Sequence, residues 1–366
     1  MRIGLVHAND GSDIRVGKVC RSFTRMGFQV DFIGWDRRPE ERKSIDLGDA
    51  GQHILTFATA YGKSTVRGQA SFLWHILSTL AAVRPDIVYA VNEENALLAL
   101  AGKKLLYRKL ICDVFDSLVD RHSRRPLLGW FLGLIALISR WSADRLIATD
   151  EARYRRFGRF RDKCTVIENY PESCPAVEKT PVPCGPTKIW VGGTLTRSRG
   201  IGAILQAVES LEGVVLLSAG WPYDEFAAKT FVTHPKVDYR GIVTADEALS
   251  LASQCDAVFA FYAPTSVNNV YASPNKIYDA MCVGRPVIIN EEILVADFVR
   301  EQDLGMTCRY EDTVALGHIV AGLKSRRDDL AAFAQRTRAL FQSRYSWERM
   351  EPRLRKLIVE LSDRTP

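Results

Sequence analysis

The chain has 366 residues, of which 47% are apolar, 25% charged and 10% aromatic. These values exclude a disordered, collagen-like or disulfide-scaffold protein. Lys and Arg number 49 against 43 Asp and Glu, a net charge of +6, which suits an anionic substrate or surface and does not call for nucleic acid. At this length about two domains are expected, each able to bury its own core.

Strand and helix patterns alternate from the first residues. Ile3–His7 is an apolar run ending in the turn-forming stretch Ala8–Ser12, Ile14–Met26 has helical spacing stopped by Gly27, and Val30–Gly34 reads as a second strand. A helix over 65–83, a strand at Ile87–Val91, a helix over 95–102, a strand at Leu110–Asp113, a helical region over 117–141 and a strand at Arg145–Ala148 follow. Five of the fifteen prolines then fall within 171–186, a segment unable to continue a helix or sit centrally in a sheet. It reads as a linker, placed at 173–187. The alternation restarts with strands at Lys188–Val191, Val214–Ala219, Ala257–Phe261 and Pro286–Asn290, and helices over 200–210, 244–253, 275–283, 311–323, 326–342 and 346–362. Strands interleaved with helices predict parallel βαβ units. The expected fold is α/β: two facing Rossmann-like doubly wound domains, residues 1–172 and 188–343, with a ligand cleft between them.

Several chemistries lack their motifs. The eight cysteines form no CxxC and no HExxH occurs, so neither a zinc knuckle nor a redox dithiol is signalled. Gly62-Lys63-Ser64 lacks the earlier glycine of a P-loop, because position 57 is Phe57. There is no GxGxxG after the first strand, no GxSxG elbow and no DxD pair. The N-terminus starts directly as a strand, without a signal pattern, and no apolar run reaches the length of a membrane span. A reduced, cytoplasmic protein is expected.

Two segments carry candidate chemistry. In Val191–Ile201, VGGTLTRSRGI, glycines including Gly193 let backbone amides approach an anion, and Arg197 and Arg199 add charge. An ordinary βα turn with solvated arginines fits the same residues. In Ser273–Ile288, Ser273 reads as a helix cap with Pro274 in the first turn. The free amides near Asn275, with Lys276, suit a diphosphate. Asp279 lies one turn beyond Lys276 and can accept ribose hydroxyls; a capped helix with an ion pair is the alternative.

In this order the segments resemble the GT-B glycosyltransferases of the family 4-like group ("glycosyl transferases group 1"). Ser12–Lys18 with Met26–Val30 resembles that group's first βα unit, Val191–Gly200 its glycine-rich phosphate loop, and Val237–Val243 the loop holding the nucleobase. Pro274–Ile288 resembles its PNKlfEyma-G-PVi segment, and Tyr345-Ser346-Trp347 its tail, so that 344–366 is expected to cross back to the N-terminal domain. The resemblance implies a hexosyltransferase moving sugar from a UDP- or GDP-sugar to a glycolipid or polysaccharide-precursor acceptor. Retention of configuration, no metal and no cofactor beyond the co-substrate are implied with it. A nucleotide-sugar epimerase and a non-catalytic partner protein are the competing readings.

Carried over by position, Arg199 falls on the family's phosphate-binding lysine and Asp279 on the glutamate that contacts the donor ribose. Arg197 stands in for the arginine replaced by Thr194. Tyr271 replaces the first glutamate of the family pair, and the histidine many relatives carry after the fourth strand is absent. Donor binding is thus expected at Gly193, Arg197, Arg199, Ile242, Val243, Pro274, Asn275, Lys276 and Asp279. Gly11, Asp13 and Asn92 are expected on the acceptor side. Glu93 and Asp116 are the candidate proton acceptors, beside the leaving phosphate; a solvent-facing helix-start carboxylate and an N-cap are their plainer readings.

Residues 127–138, LLGWFLGLIALI, form an unbroken apolar run too short to span a bilayer. Arg121, Arg124 and Arg125 precede it; Arg140, Arg153, Arg155, Arg156, Arg159, Arg161 and Lys163 follow. It reads either as a buried helix or as a helix resting on an anionic membrane, which would make the protein peripheral on the inner face of the cytoplasmic membrane.

Overall fold

The structure is a computed structural model describing residues 1–37, 46–59, 65–121, 126–172 and 183–363. Arg124 and Arg125, and the side chains of Arg121, Leu127 and Leu128, lie outside the described parts. The chain divides into two compact units: Met1–Asn169 with Met350–Pro366, and Tyr170–Arg349.

In the first unit seven parallel strands form one sheet. They are β1 (Arg2–His7), β2 (Gln29–Asp36), β3 (Gly51–Thr56), β4 (Ile87–Val91), β5 (Lys109–Val114), β6 (Arg145–Ala148) and β7 (Cys164–Val166), ordered β3-β2-β1-β4-β5-β6-β7. The order reverses between β1 and β4, so their carboxyl ends flank a switch point where such sheets bind ligands. β1, β4 and β5 are almost wholly buried, as the run-on apolar sequence requires of a sheet covered on both faces.

Helices α1 (Ile14–Arg25), α2 (Val66–Val83), α3 (Asn92–Leu100), α4 (Leu118–Arg121), α5 (Pro126–Ser142) and α6 (Glu151–Arg155) connect the strands. Asp13 caps α1, accepting from the amides of Arg15 and Val16 at 2.9 and 3.2 Å, and Gly27 ends it at φ +84. Of the expected helical region over 117–141, α4 and α5 are helical, and residues 122–125 between them lie outside the described parts. The expected helix over 95–102 begins three residues earlier, at Asn92, with no loop after β4. β3 and β7, absent from the sequence reading, are edge strands whose partial exposure gives little hydrophobic signal.

The second unit has six parallel strands: β8 (Thr187–Leu195), β9 (Val214–Pro222), β10 (Val237–Tyr239), β11 (Ala257–Phe259), β12 (Val287–Asn290) and β13 (Gly305–Cys308). Their order is β10-β9-β8-β11-β12-β13, with the reversal between β8 and β11. Its helices are α7 (Ile201–Val208), α8 (Ala245–Ser253), α9 (Val267–Val270), α10 (Asn275–Val283), α11 (Val295–Glu301), α12 (Thr313–Ala321) and α13 (Leu330–Leu340). Its core gathers Ile189, Val191, Ile204, Leu216, Phe259 and Ile288 from strands and helices alike. β10 and β13 also escaped the sequence reading: one lies in the stretch read as a loop, the other is four residues long.

The last helix, α14 (Glu351–Asp363), belongs to the first unit. Glu351 accepts from Ser22 Oγ at 2.7 Å and pairs with Arg25, while Arg353 lies 3.3 Å from Glu168. Leu354, Leu357, Ile358 and Leu361 are buried.

Candidate active site

The second unit gathers cations at its switch point. Near its end β8 carries Gly192 and Gly193, and Gly193 has φ +89, with room at its Cα only as far as the Lys276 stem, 3.7 Å from a Cβ placed there. Gly193 is paired with Gly220 of β9, and a Cβ on Gly220 would lie 1.9 Å from the Gly193 carbonyl oxygen. That approach is open to glycine alone. The Gly220 amide donates to Gly241 O at 2.8 Å, and Tyr239 Oη donates to Gly220 O at 2.7 Å. The loop carrying Ile242 and Val243 is thereby tied to the same edge of the sheet.

After β8 the chain makes one 3₁₀ turn, Arg197–Arg199, and enters α7 through Gly200 at φ +72. The Arg199 guanidinium lies 3.8 Å over the Tyr262 ring, and its Nη1 is buried with no hydrogen-bond partner. Asn290, at the end of β12, fixes Tyr262 by accepting from its amide (2.7 Å) and donating to its carbonyl (3.1 Å).

Lys276, in the first turn of α10, has Arg199 as its nearest cationic neighbour and Asp279 as a partial counter-charge. It makes no ion pair among the described residues. Enclosure by protein, then the Arg199 charge, pull its ammonium from 10.5 down to about 7, against Asp279. Solvent still reaches part of this side chain, so water or a ligand can enter.

The start of α10 differs from expectation. The cap is Pro274, with no side-chain hydrogen bond to the first turn. Ser273, expected to cap, has its Oγ 3.3 Å from Tyr278 Oη instead. The first amides therefore remain available to an anion, with the positive end of the helix behind them. Gly284 closes α10 at φ +68, as its position suggested.

Arg197 does not join this group. Its guanidinium stacks 4.2 Å over Phe226, beside a pocket of about 620 Å³ lined also by Gln206, His234 and Tyr310. Its amide donates to Asp224 Oδ2 at 2.8 Å. Burial would raise the Asp224 carboxyl, yet the bonds from Thr196 and the Ala227 and Arg197 amides hold it below its usual value. The loop is thus braced by the Arg197 amide on Asp224, while its guanidinium lies on Phe226.

In the first unit the expected acceptor-side residues meet at the β1/β4 switch point, mostly as builders of the backbone. Gly11, at φ +96, donates its amide to Asn9 Oδ1 at 2.7 Å, and Asp13 is the cap of α1. Asn92 takes φ +65, and its Oδ1 accepts from the amides of Phe115 and Asp116 at 2.8 and 3.2 Å.

Glu93 is corrected by the structure. It is fully buried; Oε1 accepts from Arg140 Nη2 at 2.6 Å and Oε2 from the Leu118 amide at 3.0 Å. A carboxylate so enclosed and paired has no face for an acceptor hydroxyl. Arg140, stacked on Phe157 as well, is likewise taken out of the expected cationic flank. Asp116 stays about half exposed (47%), 3.5 Å from Arg153.

Sequence reading missed His7, the last residue of β1. Its Nδ1 is enclosed without a hydrogen-bond partner, and its ring lies 6.0 Å from that of Phe115. Burial depresses its pKa, as does Arg37, while Asp13, Glu94 and a hydrogen bond with Asn9 oppose. A titratable ring closing a strand beside a switch point was the available signal. Tyr262 and Asn290 were missed too, since nothing local marks a ring that carries an arginine from another loop.

Among the described residues no group of three or more His, Cys, Asp or Glu is placed to hold a metal ion.

Residues 10–170 match the glycosyl transferase 4-like domain family and residues 197–356 the glycosyl transferase-like family. The chain is a GT-B glycosyltransferase. It belongs to the family 4-like group. Among solved structures it is similar to sucrose-phosphate synthase from Thermosynechococcus elongatus (TM-score 0.72, 15% identity, covering 100% of both chains). HepE of Anabaena, solved in complex with UDP and glucose, gives TM-score 0.72 at 14% identity over 98% of this chain and 99% of that one. The apo lipopolysaccharide outer core galactosyltransferase WaaB gives 0.63 at 13% over 98% and 99%. A search of curated protein sequences found no match.

Proposed function

We propose that this glycosyltransferase takes its sugar from a nucleoside diphosphate sugar, with UDP or GDP as the carrier, and passes a hexose to a glycolipid or polysaccharide-precursor acceptor. The observation that carries the donor is the pair Arg199–Lys276 beside the uncapped start of α10. Two enclosed cations without a full counter-charge are costly unless an anion joins them. A diphosphate supplies that anion, and the charge that grows on it as the glycosidic bond breaks is what these groups would stabilise. No metal is needed for that task. Asp279 is placed on the same helix face to accept ribose hydroxyls, and the tied loop at Ile242–Val243 offers backbone groups to the base.

Retention of configuration follows from the family resemblance; the anomer of the first-formed product, read by NMR, checks it. With Glu93 committed to Arg140, His7 and Asp116 are the first unit's groups for an acceptor hydroxyl. The acceptor class rests on the apolar, cation-flanked stretch around α5, which suits a substrate held at the inner face of the cytoplasmic membrane.

The donor assignment is tested by thermal stabilisation with UDP, GDP, ADP and CMP and their sugars, with and without EDTA, since ligand binding to the native state raises the midpoint. One nucleotide family should shift it, EDTA should not abolish the shift, and Arg199→Ala or Lys276→Met should. Turnover in either variant should fall about 10²–10³-fold, the usual effect of removing one donor to a developing anion. No shift with any nucleotide sinks the reading.

A further inference from the structure

α5 is built inside out for a helix facing water. Ala136 and Ser139 are its buried residues among the described side chains, Leu132 and Ile135 are partly buried beside them, Ala143 is buried just past its end, and Ser139 Oγ donates to Glu93 O at 2.7 Å. The residues it turns outward are large and apolar: Trp130, Phe131, Leu134, Leu137, Ile138 and Trp141. Their spacing places all six on one stripe of the helix. Trp130 and Trp141 are 76% and 75% exposed, and Phe131 54%. Such a patch marks an interaction surface. No helix among the described residues is long and apolar enough to cross a membrane, and the inward face of α5 is fastened to α3 through Ser139 and Arg140. A partner must therefore meet it from outside.

Charge selects that partner. Pro126–Ser142 contains no Asp or Glu. At its end, Lys163 Nζ donates to the carbonyls of Trp141 and Ala143 at 3.0 and 2.6 Å, binding the 158–163 turn to the helix terminus. Arg159 and Arg161 on that turn are exposed and make no ion pair among the described residues. A second copy packed symmetrically on this stripe would bring no acid from the helix and only Asp162 from the turn, against that turn's Arg159, Arg161 and Lys163. Anionic lipid brings both an apolar interior and negative headgroups.

We propose that the outward stripe of α5 is the chain's membrane-docking element, lying in the interface of a bilayer rich in anionic phospholipid, with Arg159 and Arg161 against its headgroups. This deepens the reading of a glycolipid acceptor and rests on it for its purpose, though not for its geometry.

Co-sedimentation of the full chain with phosphatidylglycerol–phosphatidylcholine vesicles and with pure phosphatidylcholine vesicles tests it. The anionic vesicles should take up at least about tenfold more protein, and added salt should weaken the binding. Trp130→Gln with Trp141→Gln should lower partition about tenfold, and Arg159→Gln with Arg161→Gln about as much. All four positions are exposed, and an unchanged thermal midpoint will show that the variants fold. Equal uptake by neutral vesicles overturns the proposal. So does absence of uptake, and if it comes with a concentration-dependent dimer that the tryptophan variant lacks, the stripe is a contact between copies. The nucleotide-induced thermal shift, measured without vesicles, reads the donor site separately: partition lost with the shift intact defeats the docking surface alone, and the reverse defeats the donor reading alone.

Discussion

At the residue scale Lys276 is the most informative group, because two consequences with opposite signs follow from its lowered pKa of about 7. In the unfolded chain a lysine titrates near 10.5, so between about pH 7 and 10.5 the unfolded state binds more protons and this group's contribution to folding stability rises with pH. An anion in the site favours the charged ammonium, so its binding takes up a proton and weakens over the same range. UDP or GDP affinity, followed by calorimetry in buffers of different ionisation enthalpy, should fall from pH 7 to 9 with proton uptake on binding, and Lys276→Met should flatten the profile. A pH-independent affinity would mean that the ammonium does not meet the phosphates. Lys276, Arg199 and Asp279 were legible because helix-start and glycine-loop chemistry is local. Glu93 was misjudged for the converse reason: its partner Arg140 lies 47 residues away, and only α5 folding onto α3 brings the two together.

At the scale of elements, short local rules predicted most of the architecture and failed at a few definable places. Termination by Gly27 and Gly284 is local to the helices and expected from their sequences; the cap that Asp13 supplies to α1 is not, since Asp13 is expected there as an acceptor-side residue. The start of α10 also departs from expectation, because Ser273 leaves its capping role for Tyr278 and Pro274 takes the position without a side-chain bond. The edge strands β3, β7, β10 and β13 carry little periodicity, and their pairing with longer neighbours supplies what their sequences lack. The tips of β8 and β9 are a sharper case. Gly220 combines φ +133 with a Cα against the Gly193 carbonyl, so Gly220→Ala forces those strand ends apart. The change should cost about 1–3 kcal/mol from backbone strain, seen as a lowered thermal midpoint. It should also remove nucleotide stabilisation even well below that midpoint, since the loop bearing Ile242 hangs from the same residue. Retained nucleotide binding would place the donor elsewhere.

At the scale of the whole molecule, the chain is two sheets whose strand order reverses once in each. The first unit is completed by residues far from it in sequence. α14 buries Leu354, Leu357, Ile358 and Leu361, each contributing about 1.5–3 kcal/mol as an upper estimate. Their sum is comparable with the roughly 5–15 kcal/mol that holds a domain folded. A chain ending at Arg349 should therefore lose the first unit's thermal transition while keeping the second's, and calorimetry with a nucleotide that shifts only the second will assign them. Two intact transitions in the truncated chain would show that α14 is dispensable.

The sequence by itself determined the α/β class, the alternating order of elements and the anion-seeking loop and helix start, while most of the linker expected at 173–187 lies outside the described residues. Each feature so determined is written in hydrophobic period, turn residues or charge within one window. Tertiary structure alone decided which cations stay uncompensated, that Arg197 stacks on Phe226, that Glu93 belongs to the core and that α5 buries Ala136 and Ser139 and leaves its tryptophans exposed. The physical reason is the same in each case: whether a charge or an apolar side chain is satisfied depends on partners that folding draws from distant parts of the chain.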